Sequence, residues 1–179
     1  MKAYVTLVLL IFSGYLYSTT RTVALDGSQQ YISIQAAVNA SGHGDTVLVY
    51  PGRYIENVIT NGSNITMASL YSIDPLQQYI ENTIIDGNLE SCIKITSGET
   101  ITINGFTFVN NEMGLNTYTN RTGGILVRYS SLSLFNSVIR NCTAIDAGGL
   151  AASTGSSVFL SNVDIYDNKA DGGGGGASV

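Results

Sequence analysis

The sequence predicts an all-β fold of the solenoid type, on three observations. Short runs of alternating apolar and polar residues follow one another, punctuated by Asn, Asp, Gly and Ser. Paired glycines recur in the second half, at Gly123-Gly124, Gly148-Gly149 and Gly173-Gly174, with an offset of 25 residues in both steps. Composition agrees, with 20 glycines and only 2 prolines in 179 residues. A period in the twenties with several strands per period indicates stacked coils. One coil cannot bury its own inward side chains. Stacking coils about 4.8 Å apart closes the core and pairs each backbone group with a neighbour.

The elements follow in order. Ser33 to Ala40 is the best helical stretch, with Ser33 placed to cap the first amides and Ile34, Ala37 and Val38 on one face. A helix this short needs something to cover. Asp45 to Tyr50 reads as a strand that the Pro51-Gly52 turn ends, and Tyr54 and Val58 begin another extended piece. Beyond it come only short strands, among them Ile65-Thr66-Met67, Ile93-Lys94-Ile95, Ile101-Thr102-Ile103 and Phe106-Thr107-Phe108. No second helical pattern is visible.

The repeat register rests on a strand end followed by Asn. Its three copies are Phe108 to Asn111, Val138 to Asn141 and Ile165 to Asn168, and the middle copy is one residue short between Asn136 and Asn141 compared with Asn162 to Asn168. In this register the glycines take positive φ at a corner, and equivalent Asn residues stack along the axis and share amide hydrogen bonds.

The bulk numbers set limits. The chain is 44% hydrophobic, enough for a real core in one domain. Charged residues are 12% and the net charge is −5, so no clustered basic face for nucleic acid is expected. Lys2, the apolar run Val5 to Phe12 and the small polar residues after it read as a signal peptide, taken as residues 1–20 with cleavage after Ser18 or Thr20. The alternative is a buried N-terminal strand. The apolar run is shorter than the roughly 20 residues of a membrane span, so no transmembrane helix is expected in the mature chain. Residues 21–179 then form the domain, with an N-terminal cap over about 21–60 and repeat coils over about 61–179. Cys92 and Cys142 fit no metal spacing; they are a potential pair or two small buried hydrophobes.

The stretch YISIQAAVNASGHGDTVLVYPGRYIENV resembles the N-terminal cap of right-handed parallel β-helix proteins of the pectin-lyase-like superfamily, and NITMASL and NTIIDGN continue the likeness. The second half is similar to the repeats of polymorphic outer-membrane proteins and related adhesin-like bacterial surface proteins. Those carry Phe-x-x-Asn followed by Gly-Gly-Ala-aliphatic; Phe108 to Asn111 matches the first motif in full, while Val138 and Ile165 begin the other copies. The resemblance implies a right-handed parallel β-helix with a short N-terminal capping helix. The final run DGGGGGASV stops in mid-coil, and the expectation is that the helix is truncated at its C-terminus.

Candidate chemistry is sparse. Gly42-His43-Gly44 matches a signature of pectin-cleaving hydrolases, but it falls between the helix and the first strand. There the glycines most simply end the helix, and His43 becomes a loop residue. A glycosidase needs two carboxylates about 5–9 Å apart. The repeat register puts Thr107, Ser137 and Asp164 in one outward column and Asn110, Arg140 and Asp167 in another. Asp164, Asp167 and Arg140 are the best enzyme-like cluster, in which aspartates could hold Ca²⁺ and Arg140 could take a proton. Few further oxygens are in sight for such a site. No other cofactor or metal is expected. The sequence thus predicts a secreted or cell-surface protein, an adhesin-like or structural stalk whose partner is extracellular polysaccharide or a host or neighbouring cell surface. The alternative is a carbohydrate-active lyase, hydrolase or esterase whose site is weak here or lies beyond Val179.

Overall fold

The structure is a computed structural model, and residues 18–110 and 121–178 are described. The signal segment falls largely outside these. The fold is mostly β, with long parallel sheets, an arrangement compatible with a solenoid.

Five successive circuits account for most strands. The first strand is β1 (Thr20–Val23). Next come β2 (Thr46–Val49), β3 (Gly52–Ile55) and β4 (Val58–Ile59). The following circuit holds β5 (Thr66–Ser69), β6 (Thr83–Asp86) and β7 (Ile93–Ile95). Then come β8 (Thr100–Asn104), β9 (Thr107–Asn110) and β10 (Ile125–Val127). After these lie β11 (Ser131–Ala144) and β12 (Leu150–Ala152). The last circuit holds β13 (Ser157–Tyr166), β14 (Lys169–Ala170) and β15 (Ala177–Ser178).

Every strand pairs in parallel with its counterpart one circuit on. β1, β2, β5 and β8 form one run and β3, β6 and β9 a second. Fourteen-residue β11 pairs with both β8 and β9, because it bends at Asn136. β4, β7, β10, β12 and β15 form a separate five-stranded sheet.

Alternation explains the core. Inward residues stack into apolar columns: Val47, Met67, Ile103 and Leu134 on the first run, Tyr54, Ile85, Phe108 and Ile139 on the second, and Val58, Ile93, Ile125 and Leu150 on the third. All twelve are buried. Each large side chain removed from water contributes about 2 kcal/mol.

The corners work through two devices. At the bend between β8 and β9, Gly105 (φ +88°) is followed one circuit on by Asn136 (φ +46°) and then by Asn162 (φ +55°). Asn tolerates this left-handed conformation better than most side chains. Asn136 Nδ2 donates to Asn104 Oδ1 at 2.9 Å and Asn162 Nδ2 to Asn136 Oδ1 at 2.8 Å, so an amide ladder runs along the axis. It uses other asparagines than those of the repeat motif.

The glycine pairs work differently from expectation. None of them has positive φ. They are glycine because the next circuit passes too close: a Cβ on Gly123 would lie 2.6 Å from the Gly148 carbonyl oxygen, and one on Gly148 2.5 Å from that of Gly175. The register Leu150↔Ala177 places Gly175-Gly176, not Gly173-Gly174, below Gly148-Gly149. The last step is therefore longer than the one before it. The middle Asn copy also shifts. Phe108 stands over Ile139 and Ile165, and Cys142, not Asn141, occupies the column of Asn110 and Asn168. An irregularity between Ile139 and Cys142 accommodates the extra residue.

Helix α1 (Ile34–Ala40) buries Ile34, Ala37 and Val38 against β1, β2 and β4. Ser33 Oγ accepts from the Ala36 amide, and Glu56 accepts from Ser33 Oγ, the Ile34 amide and the Gln35 amide. Ser41, not Gly42, is the C-cap, its hydroxyl donating to the Ala37 carbonyl. A second helix, α2 (Gln77–Asn82), lies between β5 and β6. It had no legible pattern because only Ile80 is buried and no side chain caps it. It lies against β6, β9 and β11, and its Ile80 carbonyl accepts from Thr107 Oγ1.

Cys92 and Cys142 are both buried and free. Burial, with Cys142 close by, pushes the Cys92 thiol well above its usual value. The two thiols approach neighbouring carbonyls of β9, Cys92 Sγ that of Val109 at 3.1 Å and Cys142 Sγ that of Phe108 at 3.8 Å.

Candidate functional site

The residues singled out in the sequence do not assemble as the repeat register suggested. Asp164 is exposed on β13, opposite Val138, which stands opposite Thr107; Ser137 is opposite Val163 instead. Arg140 is opposite Tyr166, and Asn110 is a buried residue in the Cys142 column. Asp167 occupies a left-handed corner (φ +52°), and no ion pair joins it or Asp164 to Arg140 among the described residues. Asn168, beside Asp167, is spent on the fold: its Oδ1 accepts from the Cys142 amide and its Nδ2 donates to the Ile139 carbonyl. Among the described residues no group of three His, Cys, Asp or Glu is placed to hold a metal ion.

His43 is exposed, and its Nδ1 accepts from the Asn64 amide at 3.1 Å. It clips the loop after α1 to the turn before β5. Neighbouring Asp45 is buried and accepts from the Thr19 amide, the Gly42 amide and Arg21. The amide hydrogen bonds from Gly42 and Thr19, helped by the Arg21 charge, hold its carboxyl below the usual range.

A groove of about 430 Å³ lies on the outer face of the five-stranded sheet. Alternation builds its floor. Ile93 and Ile95, Ile125 and Val127 point inward, so Lys94, Leu126, Ala151 and Ser178 line up outward, one per circuit. The segments before these strands supply one wall, with Glu90, Ser91, Arg121, Thr122 and Asp146; Arg128 and Ser153 supply the other.

Electrostatically the groove differs from the rest of the chain. Lys94, Arg121 and Arg128 meet only two carboxylates there, Glu90 and Asp146, a local balance of +1 in a chain of net −5. Lys94 Nζ contacts Glu90 at 3.0 Å, and Arg121 Nε contacts Asp146 at 2.6 Å. Arg128 is exposed and has no ion pair with a described carboxylate. Such a surface can hold an anion on Arg128 and hydrogen-bond a polar chain through Ser153. Nothing in it offers a free pair of carboxylates. The sequence signal for it was present in Ile93-Lys94-Ile95 with Glu90 nearby, but only the register brings Arg121 and Arg128 alongside.

No family model matches the chain, and neither the curated proteins nor the solved structures contain a match to it.

Proposed function

We propose that this chain is a right-handed parallel β-helix whose first circuit is covered by α1, and that it serves as an exported, adhesin-like surface scaffold. Its ligand on this reading is an acidic extracellular polysaccharide, held along the five-stranded face. The observation that carries the proposal is the groove itself: Lys94 on its floor, Arg121 and Arg128 on opposite walls, both carboxylates already engaged by Lys94 and Arg121, and Arg128 in no ion pair with a described carboxylate. An anionic group of a chain laid in the groove can pair with Arg128, while carboxylates tied in ion pairs are poorly placed to transfer protons. Secretion fits the apolar leader at Val5 to Phe12. No helix among the described residues is long and apolar enough to cross a membrane.

The test is binding and cleavage on one substrate. Polygalacturonate should bind the purified chain with unchanged chain length, and Arg128→Ala should weaken binding about tenfold. Rising salt should weaken it as well. A fall in chain length favours the second reading, a polysaccharide-acting lyase or hydrolase, for which Arg128 in the same groove as the Glu90–Lys94 pair is the one suggestive arrangement. Absence of binding to acidic and neutral glycans alike would sink both readings.

A further inference from the structure

At one corner of the coil the chain departs from its own rule. The strand registers align Gly62, Gly98, Tyr129 and Gly155, which precede the paired residues Thr66, Thr102, Ser133 and Phe159 by the same interval. All four take positive φ, at +87°, +85°, +53° and +76°. Glycine does so without steric cost, whereas a bulky side chain in this conformation is an outlier. Three circuits place glycine there, and the one that follows β10 places tyrosine.

The ring does little for the core. Tyr129 is 63% exposed. Its side chain has no hydrogen-bond or ring partner among the described residues. It lies toward Gly155 of the next circuit, where a Cβ would stand 3.2 Å from Tyr129 Cδ1. The backbone that carries it is held firmly. The Arg128 amide donates to the Ile95 carbonyl at 2.8 Å. Ser130 Oγ donates to the Arg128 carbonyl at 3.0 Å and accepts from the Gly98 amide at 3.1 Å. Backbone strain held in place by its surroundings, on a side chain the core does not use, is a feature of ligand clamps.

The position of the turn says what the ring can meet. Arg128 immediately before it, and Ser153 of the next circuit, form one wall of the groove. Tyr129 prolongs that wall from the Arg128 circuit toward the Ser153 circuit. A uronate ring presents an apolar face of C–H groups and a carboxylate at its edge. A phenol ring beside an unpaired guanidinium complements both.

We propose that Tyr129 is a positioning and specificity residue of the groove, its ring stacking on the face of a uronate whose carboxylate Arg128 holds. The inference rests on the groove reading above and adds to it a preference for carbohydrate over other polyanions.

The test compares polygalacturonate with polyglutamate, which carries carboxylates but no sugar ring. Tyr129→Gly should keep or raise the thermal midpoint of the purified chain, because it removes the strain. It should weaken polygalacturonate binding about fivefold, and Tyr129→Phe, which keeps the ring, should recover most of that loss. Polyglutamate should bind the parent more weakly than polygalacturonate, and Tyr129→Gly should narrow the gap. Parent-like polygalacturonate binding by Tyr129→Gly, an unchanged gap, or a lowered thermal midpoint would overturn the proposal; the groove reading would stand if Arg128→Ala still weakened binding. A parent chain that binds no polygalacturonate would overturn the groove reading and this one with it.

Discussion

At the residue scale, the glycine pairs separate two roles that look identical in sequence. Gly124 and Gly149 stand in the same column as Gly176. A Cβ on Gly124 would collide with the Gly149 carbonyl, whereas one on Gly176 meets only Ile165 Cγ2 at 3.7 Å, an ordinary contact. The expected outcome is that Gly124→Ala lowers stability by about 2 kcal/mol, in the range of overpacked cores, while Gly176→Ala leaves it nearly unchanged. Thermal unfolding of the two variants beside the parent checks this, and equal shifts would refute close approach as the cause. The repeat was legible at this scale, but its reason was not. Sequence spacing suggested corner glycines with positive φ. The left-handed corners instead belong to Gly105, Asn136 and Asn162, and the paired glycines answer to a neighbour that only stacking brings near.

At the element scale, α1 shows how a seven-residue helix is held by distant sequence. Its own cap, Ser33, satisfies one amide, while Glu56 on the following strand segment takes the Ile34 and Gln35 amides and the Ser33 hydroxyl. A carboxylate at a helix N-terminus also suits the local dipole. Glu56→Ala should cost about 2 kcal/mol, and Glu56→Gln should recover part of that by keeping an acceptor. Urea unfolding of both variants checks it; an Ala variant as stable as the parent would mean that water replaces the carboxylate. Ser33 and the apolar face of the helix were visible in the sequence. Glu56 was visible only as part of a motif, without its role, because its partners lie 21 to 23 residues earlier in the chain. α2 was invisible because one buried residue makes no period.

At the scale of the whole molecule, stability should fall at both ends of the pH range for different reasons. Tyr54 is fully buried in the inward column of β3, its hydroxyl donating to the Tyr50 carbonyl at 2.8 Å. Burial, with the charges of Glu56 and Asp26, pushes its pKa up to about 12. A raised folded value means that the unfolded chain loses this proton first. The stabilisation is complete below about pH 10, and up to about 3 kcal/mol is lost as pH rises toward 12. Tyr54→Phe should flatten the alkaline fall while costing the hydroxyl's hydrogen bond. Asp45 has the opposite sign. Its folded value lies below that of the unfolded chain, so its contribution is present above the ordinary carboxylate range and is lost as pH falls through the lowered value. Chemical denaturation across pH should show both limbs, and Asp45→Asn should remove part of the acid one.

The sequence by itself determined the alternation, the short strands, the helix at Ile34–Ala40 and the repeat in the twenties, because each depends on residues close together along the chain. It also placed His43 in a loop, where it accepts a backbone amide. Register was decided only by the tertiary structure. β11 pairs with β13 and β14 at a constant offset of 26 residues, one fewer than the 27 between Asn141 and Asn168 that the repeat suggested. That register sets Arg140 opposite Tyr166 rather than Asp167, and the stacking of strands gathers Lys94, Arg121 and Arg128 instead. Strands carry side chains on alternate faces, so a shift of one residue changes which neighbours a charge can meet, and no local pattern records that shift.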